Sequence, residues 1–65
     1  MKNFQKRIDD SVFFGLSSFT VKFIAKTYGL KTADAFVKAV YTKAQEVYGD
    51  FEVIQYPTYT EFVKK

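Results

Sequence analysis

The 65-residue chain has no cysteine, no histidine, a single proline and three glycines. Each shortage removes a class of chemistry. Without cysteine there is neither a disulfide nor a thiolate metal site. Without histidine the commonest general base and a usual transition-metal ligand are gone. Ser11, Ser17 and Ser18 have no base beside them, and adjacent carboxylates such as Asp9 and Asp10 are ordinarily a solvated pair. Gly15, Gly29 and Gly49 lie too far apart for a phosphate-cradling loop. The usual set of catalytic roles stays unfilled, so the expectation is a protein that is not an enzyme and takes no cofactor or metal.

Long apolar runs are also missing. None approaches the roughly 18–20 residues that cross a bilayer, and MKNFQKRIDD lacks the apolar centre of a signal peptide. A soluble, cytoplasmic protein without a membrane partner is expected. Neither sign of charge dominates: ten Lys/Arg face seven Asp/Glu, for a net +3. That balance is mildly basic and is not a nucleic-acid signature by itself.

What the chain has in quantity is aromatic surface, eight Phe and five Tyr. One domain of this size buries only about 60% of its unfolded surface, and each aromatic ring can contribute about 150–250 Å². The composition therefore favours folding over disorder, with some rings left for a partner, which includes a second copy of the chain.

The clearest periodicity lies in TADAFVKAVYTKAQEVYG. Ala33, Phe36, Val37, Val40, Tyr41, Ala44, Val47 and Tyr48 recur at helical spacing. Thr32 suits the N-cap, Asp34 the positive end of the dipole, and Gly49 the position just past the end. The spacing predicts a helix over 32–48. In DFEVIQYP, β-favouring residues stop at Pro57, which predicts a strand over 51–56. The tail over 58–64 reads as a short helix, through Thr58 and Glu61 as a capping box, or as an edge strand. Residues 1–10 read as an arm, frayed or partly helical.

Residues 11–28 admit two readings. Phe19, Val21, Phe23 and Ala25 alternate with Thr20, Lys22, Ile24 and Lys26, the period of a strand. SVFFGL supplies a second strand before it, with Gly15 and Ser17-Ser18 as bulge or turn. The outcome would be a small α+β domain, ββαβ, with a three-stranded antiparallel sheet against one long amphipathic helix. The alternative is a helix-turn-helix around Ala25, Gly29 and Leu30. That motif buries residues about five and eight positions after Leu30, namely Ala35 and Lys38, and a buried lysine is unfavourable. The strand reading is preferred on this ground.

In the preferred fold the helix covers one sheet face. The other carries Lys22, Ile24, Lys26, Ile54 and Tyr56, with Phe13 nearby. The plainest fate of that face is to be covered by the tail, through Tyr59 and Phe62, or by the arm, through Phe4 and Ile8. Left open, it would suit a protein partner or self-association as a homodimer. A weaker reading is a nucleic acid stacked on Phe13 or Tyr56, with Lys22 and Lys26 on phosphates.

An alanine-containing amphipathic helix followed by GDFEVIQY resembles small bacteriophage-encoded host-takeover and regulatory proteins, a class that includes the short podoviral inhibitor of bacterial RNA polymerase. The likeness spans about residues 19–56, and its literal part is Gly49, Phe51, Glu52 and Val53, with Asp50 interposed. The resemblance implies a non-catalytic regulatory protein that inhibits a host factor by occupying its surface. No functional residue is carried over with it.

Overall fold

The computed structural model describes residues 4–65. The elements run α1 (Gln5–Phe14), β1 (Leu16–Ser17), α2 (Ser18–Tyr28), α3 (Leu30–Tyr48), β2 (Phe51–Gln55) and β3 (Tyr59–Lys64). The three strands form one antiparallel sheet in the order β1-β3-β2. The domain is α+β as expected, but ββαβ is wrong. Three helices dominate the N-terminal part, and two of the three strands follow them.

The main correction falls on residues 11–28, which hold the end of α1, the two-residue β1 and all of α2 where two strands were expected. Alternation in FTVKFIAK competes with a second pattern, Val21, Ile24, Ala25 and Tyr28, which is one stripe of a helix. The helix prevails because it brings Ile24 to complete burial. It also turns Lys22 and Lys26 to solvent. A strand would have put Ile24 on the same face as both lysines. The Ser17 hydroxyl accepts from the Phe19 N–H and caps the start of α2, the ordinary role of a serine at that position. The Gly29 N–H closes its end on the Ala25 carbonyl at 3.0 Å.

Other elements differ less. Residues 5–10 of the expected arm and residues 11–14 of the expected first strand together form α1, and Ile8 and Val12 from it, with Phe4 just before it, enter the core. The part of that arm before Phe4 lies outside the described residues. The long helix starts at Leu30 rather than Thr32, and the Thr32 hydroxyl bonds back to the Tyr28 carbonyl instead of capping. Gly49 ends it at φ 73° with its N–H on the Gln45 carbonyl, the place expected of it. Strand β2 stops at Gln55, one residue early. The tail is a strand rather than a short helix, because β3 lies between β1 and β2 and satisfies backbone groups of both.

One core joins the layers: Phe4, Ile8, Val12, Leu16, Ile24, Ala33, Phe36, Val40, Ala44 and Phe62. Phe4 meets Tyr28 and Phe36 edge-on, at 5.2 and 6.0 Å between ring centroids. It thereby ties α1 to both ends of the α2–α3 joint. The Tyr48 hydroxyl donates to the Val12 carbonyl, fixing the far end of α3 to α1. The hairpin is pinned where the Ser18 N–H and hydroxyl both donate to the Thr58 carbonyl, at 2.9 and 3.1 Å.

Gly15 makes the tightest crossing. Its φ is 108°, and a Cβ there would lie 2.9 Å from Tyr59 Cδ2 and 3.3 Å from the Thr60 carbonyl oxygen. Gly29 also has a positive φ, 102°, but opens onto empty space. Both conformations fall in a region that is essentially reserved for glycine and is strained by about 1–3 kcal/mol for other residues. Gly29→Ala is therefore expected to destabilise the domain by an amount in that range. Gly15→Ala should destabilise it further, since Tyr59 must also move. Urea unfolding followed by circular dichroism measures both.

Candidate nucleic-acid interface on the joined helices

Helices α2 and α3 are joined by Gly29 alone. A helix-turn-helix ordinarily has a turn of about three or four residues, often with a glycine. Here the turn is contracted, and the burial pattern moves with it. Ala33 and Phe36 are buried, each two positions before Ala35 and Lys38, which the motif would have buried. The obstacle of a buried Lys38 thus disappears. Lys38 and Ala35 stand on the solvent side.

The outward face of α3 follows from the inward one. Ala33, Phe36, Val40 and Ala44 face the core. Lys31, Ala35, Lys38 and Thr42, spaced as i, i+4, i+7 and i+11, lie opposite them and are exposed, with Asp34 and Gln45 along one side of the stripe. Small Ala35 between two lysines lets a surface approach the helix closely. Thr42 and Gln45 offer donors and acceptors on the same face.

Helix α2 presents Phe19, Lys22, Phe23 and Lys26 outward. The Arg7 guanidinium of α1 lies over the Phe23 ring, 5.5 Å from its centroid, a cation–π contact. Between residues 18 and 38 the chain has four lysines, Lys22, Lys26, Lys31 and Lys38, against one carboxylate, Asp34. From residue 39 onward, acidic residues outnumber basic ones. The excess positive charge is therefore gathered on the two joined helices.

The residues expected to share a sheet face are dispersed. Ile24 is wholly buried and is part of the core, so it can touch no partner. Lys22 and Lys26 remain neighbours, but on a helix. Ile54 lies on β2, and Phe13 lies on α1, where its ring meets Tyr48 edge-on at 6.3 Å. Tyr56 and Lys22 do meet across an open groove of about 360 Å³ between α2 and the hairpin, lined also by Leu16, Val21 and Pro57. Tyr56 stacks on Tyr59 at 4.7 Å with the rings 19° apart. The Tyr59 hydroxyl is held above its ordinary pKa, first by desolvation and then by Tyr56 and Glu61. Phe4, Ile8 and Phe62, the residues expected to cover an open face, are themselves core.

Lys31, Ala35, Lys38 and Thr42 were not legible as a site from the preferred strand reading. Their signal was the polar side of the α3 periodicity. Among the described residues, no three His, Cys, Asp or Glu side chains gather as a metal site, and no helix is long and apolar enough to cross a membrane. No protein-family model, curated protein or solved structure gives a significant match to the chain.

Ile24→Asp is expected to abolish the cooperative unfolding transition, because it places an unpaired carboxylate in a fully enclosed position. Lys22→Asp, two residues away on the exposed side, should leave stability within about 0.5 kcal/mol. Thermal melts of the two variants provide the comparison.

Proposed function

We propose that the protein binds double-stranded DNA through the joined helices α2 and α3, with the outward face of α3 directed at the major groove. The observation that carries this reading is the stripe of Lys31, Ala35, Lys38 and Thr42 on the second helix of a glycine-jointed pair. In helix-turn-helix proteins the second helix enters the groove and the first crosses the backbone. Lys22 and Lys26 on the first helix would meet phosphates, which fix position without reading sequence. Thr42 and Gln45 have the chemistry to meet base edges.

A second reading has its own support. Phe14 and Phe19 are 81% and 71% exposed, and together with Gly15, Ser17, Thr58 and Tyr59 they line an open hollow of about 400 Å³. Such a patch suits a protein surface. Occupying a host factor is the action that the phage-type resemblance implies.

Salt separates the two. Four phosphate contacts give a slope of log K against log salt of about −3.6, a loss of roughly 100-fold between about 50 and 200 mM. Lys38→Ala should weaken binding and flatten that slope by about one unit. Fluorescence anisotropy with a labelled duplex measures both. Absence of binding at about 20 mM salt, or a slope near zero, overturns the DNA reading.

A further inference from the structure

We propose that the free edge of β2 pairs with the same edge of a second copy, across a two-fold axis through Val53. Strand β2 is one of the two outer strands of the sheet, and the longer, since β1 has only two residues. The Asp50 carbonyl accepts from the Lys65 N–H, and the Tyr56 N–H donates to the Tyr59 carbonyl. Hydrogen bonding in an antiparallel pair alternates from residue to residue. With Glu52 opposite Val63 and Ile54 opposite Glu61, the even-numbered residues therefore bond to β3. Phe51, Val53 and Gln55 turn both N–H and C=O to the open edge.

Those three positions define one register. With Val53 opposite its own copy, Phe51 lies opposite Gln55 of the second chain and Gln55 opposite Phe51. Every edge-facing group then finds a partner. A shift of two residues leaves Phe51 or Gln55 without a strand partner. A shift of one sets edge-facing groups against groups already bonded to β3.

The side chains agree with this register. Glu52 falls opposite Ile54 of the second copy, so no like charges oppose each other directly, an arrangement that would otherwise be unfavourable. Val53 and Ile54, 39% and 36% exposed, are drawn into contact. Natural edges are usually blunted by lysine, proline or a bulge. Phe51–Gln55 contains no proline, lysine or bulge, carries Glu52 as its one charge, and pairs with β3 in unbroken register. This symmetry in bonding and in charge is what selects a second copy over a foreign strand. The joined sheet has six strands with both sets of helices on one side. The pairing does not rest on the DNA reading.

Val53→Pro is the decisive variant. Its missing N–H is one that β3 does not use, and proline is tolerated on an edge strand when that group faces solvent. Sedimentation equilibrium at about 100 μM, a concentration that populates a micromolar dimer, should give twice the 7.5 kDa chain mass for the wild type. Val53→Pro should give the single-chain mass with unchanged circular dichroism. In the wild type, amide exchange at Phe51, Val53 and Gln55 should slow as concentration rises, while Glu52 and Ile54 stay constant. That second measurement decides the matter if Val53→Pro fails to fold. A wild type that stays monomeric overturns the pairing, as does a dimer that survives in folded Val53→Pro or that leaves the three odd-numbered amides unprotected.

Discussion

Ile24 and Phe36 have no surface in contact with solvent, and they come from the two helices on either side of Gly29. A small chain has few side chains of that size, and enclosing each is worth about 1.5–3 kcal/mol. Their enclosure requires α2 and α3 to fold back on each other at a joint of one residue. Gly29 permits this because its backbone, at φ 102° and ψ 162°, occupies a region that strains other residues. Phe4 then fills the remaining side of the joint against Tyr28 and Phe36. The disposition of every outward side chain on the two helices follows from this packing.

The contracted joint has a consequence for charge. A longer turn would have rotated α3 so that Lys38 faced inward, where an ammonium group is strongly disfavoured. Shortening the turn moves the buried positions back by two and sends Lys31 and Lys38 outward together. Packing therefore decides where the positive charge of the domain is displayed. The lysines gather on one face because the apolar residues between them are needed on the other.

Some of this was legible in the sequence. The α3 periodicity gave the long helix to within two residues, Gly49 marked its end, and DFEVIQYP marked β2. Residues 18–28 were not legible from alternation alone. FTVKFIAK satisfies a period of two and a period of 3.6 at once, and only burial of Ile24 against groups distant in sequence breaks the tie. The tail was ambiguous for a similar reason. Tyr59, Phe62 and Val63 can share a helical face, and β3 forms because β1 and β2 offer unpaired backbone on both sides. Phe19 and Phe23 were expected inside and are exposed, since the helix that buries Ile24 must turn them out. The candidate lysines could be found only as the complement of the α3 stripe, once α2 was known to be a helix.

The two faces of the domain differ in charge as well as in shape. Val53 pairs with buried Phe62 on the inner side of the hairpin. By the alternation of the strands, Glu52, Ile54, Glu61 and Val63 fall on its outer side. That outer side is acidic and apolar, whereas α2 and the first half of α3 carry the lysines. On charge alone, a polyanion would be drawn to the helices and repelled from the outer sheet. The β2 edge lies on the strand layer, away from the lysine stripe in sequence and in charge. The proposed edge pairing would use main-chain groups that are indifferent to salt, while the proposed DNA contact would use charges that are not. The two proposals, self-pairing through the edge and DNA binding through the helices, consequently would not compete for the same side chains. A paired molecule would present two lysine faces related by a two-fold axis, the symmetry with which paired half-sites in duplex DNA are read.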